Sequence, residues 1–257
     1  MTTVGISWLY ISVQLALLGD AQPSPPPPGH FRIYGMRFCP YTERVLIYLA
    51  KKKIKAEIVN INLKDKPEWL KKVHPEEKVP ALEHDGKVLV ESTIIVQYLD
   101  ELFPETSVLP KDPYERAVQR MLFERTSSFT APLFKLLRTK SGPYGELHDK
   151  LEKDLVQVEP LLKNTFFGGN KPGFTDYLIF PIYERLAVFA NHPEAGKYNL
   201  TSLVGTERFP HLTHWYEKMC SLPQVVIAQP QRDELLKYLE GFIVGHADYD
   251  IGIGKRN

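Results

Sequence analysis

Cys39 is the residue in this sequence whose surroundings most favour chemistry. Pro40 follows it, and proline suits the first position of a helix because its φ is preset and it has no amide hydrogen to lose. Arg37 and Arg44 flank the cysteine. Unpaired backbone amides at a helix N-terminus, together with nearby cations, stabilise the thiolate, which is the nucleophilic form. We therefore interpret Cys39 as a reactive cysteine, although a buried structural role is the common alternative.

Thr42 occupies the position where a Cys-x-x-Cys motif would carry its second thiol. A mixed disulfide formed at Cys39 must then be resolved by a thiol from outside the chain. Glutathione is the abundant cellular candidate, so we expect a glutathione site close to Cys39. The only other cysteine, Cys220, is distant in sequence, which argues against a disulfide scaffold and favours a reducing, cytoplasmic compartment.

Residues that can hold glutathione follow Cys39 in the sequence, because this ligand presents two carboxylates, one ammonium group and several amides. Lys66 and Lys78 offer cations for a carboxylate, although either can equally be a solvated surface lysine. Val79 and Pro80 begin a predicted strand, where a cis proline would expose the Val79 backbone to an extended peptide-like ligand.

Glu91 and Ser92 stand where a predicted helix begins. Glu91 can meet an ammonium group, while Ser92 and the amides behind it form a site for a carboxylate. The alternative is that the pair serves only as an ordinary helix cap.

The elements that must position these residues have the order βαβαββα. Alternating apolar residues predict strands, and apolar residues at every third or fourth position predict helices. Asp85-Gly86 between two apolar runs indicates a hairpin. The predicted elements are a strand at 31–34, a helix from 40, a parallel strand at 56–63, a short helix from 67, a hairpin of 78–83 and 87–90, and a helix from 92.

The second half of the sequence contains only helical patterns. We expect Pro160 to kink or end its helix, and Pro181 raises the same question, because proline removes a helical hydrogen bond. The predicted domains are a leader (1–29), an α/β domain (30–104), a linker (105–111) and an all-helical domain (112–250). The helical patterns cover 114–137, 147–163, 176–190, 211–221 and 233–242.

The leader has an uncharged apolar run at 4–18, followed by a proline-rich stretch. The run is shorter than the roughly 20 residues that span a bilayer. No Lys or Arg precedes it, as would be usual for a signal peptide, so we expect a flexible leader. If the run were a signal, the protein would instead be secreted or anchored.

The composition excludes some functions. The chain has 257 residues and a net charge of +1. It therefore lacks the excess of positive charge that is typical of proteins that bind nucleic acid or an anionic membrane. His211 and His214 near Cys220 match no standard metal-site spacing, so no metal is expected.

Several motifs, taken together and in order, resemble the omega class of cytosolic glutathione transferases, and the likeness covers nearly all of 31–249. They are 36–41 (MRFCPY), 66–69 (KPEW), 78–81 (KVPA), 91–92 (ES), 109–113 (LPKDP), 176–181 (DYLIFP) and 184–186 (ERL).

The resemblance implies a thioredoxin-like domain joined to an all-helical domain, usually in a homodimer. It implies that Cys39 forms the mixed disulfide with glutathione, so that the protein reduces small disulfides or dehydroascorbate and conjugates some electrophiles. By matching motif, Lys66, Lys78, Val79 and Pro80 hold the glycyl and cysteinyl parts of glutathione. Glu91 and Ser92 hold the γ-glutamyl end, while Tyr41 and Arg185 are expected at the substrate pocket.

The sequence also departs from the family. Phe180 and Ile182 stand where tryptophans are frequent, which predicts a differently shaped acceptor pocket, and Gly173 takes a capping position often held by Ser. Two other functions remain open. One is a non-catalytic ligand-binding protein of the same fold, and the other is a membrane-associating relative of the intracellular chloride channel proteins.

Overall fold

A computed structural model describes residues 10–140, 142, 144–205 and 207–253. The chain folds into two compact units. The first comprises the residues up to Ser107, together with Pro223–Pro230 and the residues from Tyr249 onward. The second comprises Val108–Leu222 and Gln231–Asp248.

The first unit is built on a five-stranded mixed sheet with the strand order β1-β3-β2-β4-β5. Strands β1 and β2 both run parallel to β3, whereas β4 is antiparallel to β2 and β5 is antiparallel to β4. From Phe31 onward the predicted βαβαββα order is confirmed. The elements are β1 (Tyr10–Ala16), β2 (Phe31–Gly35), α1 (Pro40–Lys52), β3 (Ala56–Ile61), α2 (Leu70–Val73), β4 (Ala81–His84), β5 (Lys87–Val90) and α3 (Ser92–Leu102).

The prediction of a flexible leader is wrong at Tyr10–Ala16. This segment is strand β1, whose register with β3 runs from Tyr10 opposite Ala56 to Ala16 opposite Ile61. Pairing with β1 gives hydrogen-bond partners to backbone N–H and C=O groups that would otherwise be unpaired along the edge of β3. Ala16 is also buried in an apolar cluster with Trp69. Residues 1–9, which include the start of the apolar run, lie outside the described residues.

The faces of the sheet follow the two-residue period of the strands. Ile33 of β2 lies between Ile58 and Leu82, and all three are buried. Arg32, on the opposite face, is buried as well. Its guanidinium is held by Glu57 of β3 at 2.7 Å and by a second carboxylate on β4, so the charge is paired rather than solvated.

The second unit is helical in its described part, as predicted. Helix α6 ends just before Pro160, which lies in a 3-10 turn over Glu159–Leu161, and this agrees with the expected early end. Pro181, in contrast, lies inside α7 without ending it. The helices are α4 (Pro113–Thr126), α5 (Thr130–Arg138), α6 (Tyr144–Val158), α7 (Phe174–Ala190), α8 (Pro210–Cys220) and α10 (Arg232–Val244).

One helix from the C-terminal part of the chain belongs to the first unit. Helix α9 (Pro223–Ala228) packs against α1, and Val225 is fully buried. The sequence assigned 112–250 to one helical domain, and the structure divides that range differently. No helix in the described ranges is long and apolar enough to cross a membrane.

Candidate functional site

The loop before α1 holds Cys39 in a defined position. The Cys39 amide donates to the Met36 carbonyl at 2.9 Å, and the Cys39 carbonyl accepts the Glu43 amide at 3.0 Å, so Cys39 is the N-cap of α1. Thr42 accepts the Met36 amide through Oγ1 at 3.3 Å. A Cβ on Gly35 would lie 2.5 Å from Thr42 Cγ2, so a larger residue at position 35 would force the Thr42 side chain to move. Thr42, which stands where a second thiol would be, therefore stabilises the loop through its hydrogen bond to Met36.

The Cys39 sulfur faces the start of β4. Its Sγ lies 4.0 Å from the carbonyl oxygen of Val79, and Cys39 as a whole is 8% exposed. The Val79–Pro80 peptide bond is cis, as predicted. The structure thus brings together the predicted nucleophile and the backbone segment predicted to pair with a peptide-like ligand.

Arg44 connects Ser92 and Tyr41 to the start of α1. Its Nη1 donates to Ser92 Oγ at 3.2 Å, and its guanidinium lies 4.9 Å from the centroid of the Tyr41 ring. Burial lowers the pKa of Arg44 to about 10, while interactions with Tyr41 and Cys39 oppose this shift. Ser92 is buried and Tyr41 is 36% exposed. Sequence reasoning noted Arg44 only as a cation near Cys39 and missed its contact with Ser92.

Glu91 adopts an unusual backbone conformation at the start of α3. Its φ of 67° lies in the left-handed region, which non-glycine residues enter rarely and which concentrates at ligand-binding sites. The Glu91 carbonyl accepts the amides of Ile94 and Ile95, both at 2.9 Å. Glu91 is solvent-exposed, so its carboxylate is accessible to a cationic group.

Lys78 pairs with Glu76 at the surface, and 64% of its side chain is exposed. The hydrogen bond from Lys78 to Glu76 raises the pKa of Lys78, and the charge of Glu91 raises it further. Lys66 is half-buried and has no ion-pair partner among the residues that the structure describes. Among the described residues, no hydrogen bond or ion pair links Lys66 to the other predicted glutathione-binding residues.

Arg185 lies inside the second unit and is 1% exposed. Its Nη1 donates to Glu184 Oε2 at 2.7 Å and to the Pro181 carbonyl at 2.9 Å. The ion pair between Arg185 and Glu184 is buried, with side-chain exposures of 1% and 6%. The role of Arg185 in substrate binding therefore stays a prediction.

Asn60 is a second residue that sequence reasoning missed. Its Oδ1 accepts the amide of Arg37 at 2.8 Å, which ties β3 to the loop before Cys39. Arg37 in turn donates from Nη1 to the Ile251 carbonyl at 2.9 Å. The available signal was a buried amide within the apolar run of β3, since such a group must find a hydrogen-bond partner.

His211, His214 and Cys220, set aside above as metal ligands, form no close grouping in the described part of the chain. The described side chains contain one grouping of potential ligands, His148, Asp149 and Glu152. Glu152 is paired with Arg208, and His148 lies 3.3 Å from Ser202 Oγ, so two of its members already have other partners.

Comparison with protein families gives two matches, one for each half of the chain. The family described as "Glutathione S-transferase, N-terminal domain" matches residues 33–107, and "Glutathione S-transferase, C-terminal domain" matches residues 130–223.

Curated relatives extend over most of the chain. A probable glutathione transferase omega-2 of Caenorhabditis briggsae is 40% identical over 240 residues, which cover 91% of this chain and 94% of the relative. A glutathione transferase omega-1 of Caenorhabditis elegans is 38% identical over 239 residues, covering 91% and 95%.

Solved structures share the fold. Glutathione transferase Omega 1C of Trametes versicolor superposes with a TM-score of 0.73 at 26% identity, covering 86% of this chain and 98% of that one. A Tau class glutathione S-transferase of mango, Mangifera indica, also gives a TM-score of 0.73, at 27% identity, with 83% and 98% covered.

Proposed function

The chain belongs to the omega class of the glutathione transferase family, and from this premise we propose that it is a glutathione-dependent thiol transferase and dehydroascorbate reductase. Cys39 is the proposed nucleophile, glutathione the co-substrate, and a small disulfide or dehydroascorbate the acceptor. Some conjugation of glutathione to small electrophiles at the same site is part of the proposal.

The observation that carries this proposal is the position of Cys39. Its sulfur sits at the N-terminus of α1, 4.0 Å from the Val79 carbonyl, in a loop with no second thiol. Amides at the start of a helix interact favourably with the negative charge that a sulfur carries while it attacks a disulfide. Thr42, which braces the loop, cannot resolve a mixed disulfide, so a second molecule of thiol is required.

The proposed cycle has two thiol–disulfide exchanges. The Cys39 thiolate attacks the glutathionyl sulfur of a mixed disulfide RS–SG, forming Cys39–S–SG and releasing RS⁻. A second glutathione thiolate then attacks the glutathione sulfur of that adduct, releasing glutathione disulfide and restoring the Cys39 thiolate. With dehydroascorbate as acceptor, two glutathione molecules supply the two electrons and two protons that reduce it.

The other predicted site residues supply binding rather than chemistry in this proposal. Val79, which precedes the cis Pro80, pairs with the cysteinyl backbone of glutathione through its own main chain. Glu91 meets the ammonium group, and Ser92 with the amides of α3 holds the γ-glutamyl carboxylate. Lys66 and Lys78 hold the glycyl carboxylate, although Lys78 must first exchange its pairing with Glu76.

The proposal extends to the acceptor pocket and to the assembly. Tyr41, whose ring is partly exposed beside Arg44, is proposed to contact the acceptor, and Arg185 is kept as a second candidate. We propose a homodimer, as in the family generally. Both cysteines are free thiols, which fits a reducing compartment such as the cytoplasm.

Intact mass after incubation with glutathione disulfide tests the proposed nucleophile. The wild type and Cys220→Ala should each carry one glutathione adduct, whereas Cys39→Ala should carry none. Turnover with a glutathione mixed disulfide and with dehydroascorbate should fall at least about a hundredfold in Cys39→Ala, because the covalent step is lost.

Two results would contradict the assignment of Cys39 as the nucleophile. An adduct only on Cys220 would remove Cys39 as the nucleophile. Full reductase turnover in a folded Cys39→Ala variant would have the same meaning. Glutathione binding without an adduct or turnover would instead support a non-catalytic protein of the same fold.

A further inference from the structure

A run of prolines connects β1 to β2, and the proposed catalysis does not use it. Pro23-Ser24 is followed by four consecutive prolines, 25–28. Because β1 and β2 lie on either side of β3 and all three strands are parallel, this connection must return along the sheet before β2 begins. It does so without a helix.

The proline restrictions favour a polyproline II conformation for the run. Each proline fixes its own φ near −65°, and each residue before a proline is restricted to extended geometry. Among the described residues the only cis peptide bond is Val79–Pro80, so the bonds within 22–28 are trans. A trans run with these restrictions favours a left-handed helix with three residues per turn, most strongly within the four consecutive prolines.

Burial along the run follows this three-residue period. Pro26 is buried and Pro23, three residues earlier, is half-buried, so one edge of the helix is turned toward the protein. Pro25 and Pro28, again three residues apart, are both exposed. The Ser24 and Pro27 edge is exposed as well. Two of the three edges are therefore presented to solvent.

Hydrogen bonds fix the chain on both sides of the run. Upstream, the indole Nε1 of Trp69 donates to the Asp20 carbonyl at 2.9 Å. Downstream, the Gly29 amide donates to Asp85 Oδ1 at 2.7 Å, and the His30 amide donates to the Pro27 carbonyl at 3.0 Å. The run is thus held in place before any partner arrives, which reduces the entropy cost of binding.

The charges around the run restrict the kind of partner. Residues 18–30 contain no Lys or Arg, and they include the acidic Asp20. Grooves that read polyproline II helices are lined with aromatic side chains, and some also carry an acidic pocket for a flanking Arg or Lys. A domain with an acidic pocket would therefore lack a cationic partner in residues 18–30. A groove lined only with aromatic side chains needs no such partner.

We propose that residues 23–28 are a docking segment for a protein domain whose aromatic groove recognises an uncharged polyproline II helix. The exposed edge of Pro25 and Pro28 inserts between the aromatic rings of the groove. The edge of Pro23 and Pro26 stays against the first unit. This interaction is separate from the proposed glutathione chemistry, because none of the residues involved belongs to the candidate site.

Titration of isotope-labelled probe domains with the full-length protein tests the proposal. The probes are a WW-type domain that binds unmodified proline runs and an SH3-type domain with an acidic pocket, each followed by NMR chemical shifts. We expect saturable shifts in the aromatic groove of the WW-type domain. Pro25→Ala/Pro28→Ala should weaken this binding at least tenfold.

The matched control is Pro104→Ala/Pro113→Ala, which removes two exposed prolines outside the run. It should bind like the wild type, and thermal unfolding should verify that both double variants fold. Pro28→Ala alone provides a milder variant if the double substitution disturbs folding. The proposal is overturned if neither probe shifts, if Pro25→Ala/Pro28→Ala binds with unchanged affinity, or if the SH3-type domain binds more tightly.

Discussion

Arg44 is the residue that best shows how a candidate site depends on a side chain outside the predicted ligand set. It is 4% exposed, donates to Ser92 Oγ at 3.2 Å and covers the ring of Tyr41. An arginine can serve both contacts because its guanidinium is planar and carries several donors in a fixed geometry. We infer that Arg44 positions Ser92 and Tyr41 relative to the helix that carries Cys39.

This role predicts an effect of Arg44→Met on glutathione binding. Loss of the donor to the buried Ser92 hydroxyl should raise the KM for glutathione about tenfold, or roughly 1.4 kcal/mol, with a smaller change in kcat. Steady-state kinetics at varied glutathione concentration measures this split.

Arg44→Lys separates positioning from charge. Lysine retains a cation but lacks the planar group, so it should resemble Arg44→Met in KM if positioning is what matters. Wild-type KM in Arg44→Lys would show that the charge alone is needed. Wild-type KM in both variants would contradict the positioning role.

At the scale of elements, a buried ion pair joins the ends of α1 and α3. Lys52 Nζ lies 2.9 Å from Asp100 Oδ1, and the two side chains are 0% and 3% exposed. Lys52 also donates to the Phe103 carbonyl at 3.3 Å and to Thr106 Oγ1 at 3.1 Å. The same ammonium group therefore holds α3 and the 3-10 turn (Pro104–Thr106) that follows it.

Removing one partner of this ion pair should lower the stability of the fold. We expect Lys52→Met to lower the free energy of unfolding by about 3–5 kcal/mol, because Asp100 would remain as an uncompensated buried charge. Lys52→Met/Asp100→Leu should recover most of that loss, since replacing both partners removes the unpaired charge. Urea denaturation measures both values.

Lys55→Met is the matched control, because Lys55 is exposed just beyond the same helix. It should change stability by less than about 0.5 kcal/mol. If Lys52→Met were equally mild, the ion pair would contribute little. If the double variant were less stable than Lys52→Met, residual charge would not be the cause of the loss.

At the scale of the whole molecule, each of the two units is built from segments that are separated in the sequence. After the helical segment Val108–Leu222, the chain contributes α9 to the first unit and then returns to the second unit for α10. Helix α9 packs against α1, the helix that carries Cys39 at its start. The first unit therefore needs a segment from the C-terminal part of the chain to complete its packing.

This arrangement predicts which unit weakens when α9 is altered. Val225→Ala, at a fully buried position, should destabilise the first unit by about 1–3 kcal/mol through lost apolar burial and a residual cavity. Hydrogen exchange should accelerate at the amides of α1 more than at those of α7.

The neighbouring Val226 offers a close control, because it is 53% exposed. Val226→Ala should leave exchange in α1 nearly unchanged. Acceleration in α7 rather than α1 after Val225→Ala would contradict the assignment of α9 to the first unit.

From Phe31 onward, the sequence by itself was sufficient to predict the order of elements in the first unit, and it identified Cys39 as the candidate nucleophile. Some signals depend only on residues that are close in sequence, so they can be recognised without knowledge of the fold. They include hydrophobic periodicity, the Asp85-Gly86 turn and the helix start at Cys39-Pro40. These patterns predicted the βαβαββα order, and the family resemblance predicted the cis bond at Pro80.

Only the tertiary structure decided which distant groups meet. Strand β1 looked like a flexible leader because its partner, the edge of β3, is remote in sequence. Asp176 accepts the amides of Phe167, Gly168 and Gly173 and the indole N–H of Trp215, all at 2.8 Å. A pattern of nearby residues cannot specify such contacts, because a buried polar group takes whichever partners the packed chain brings within hydrogen-bond distance.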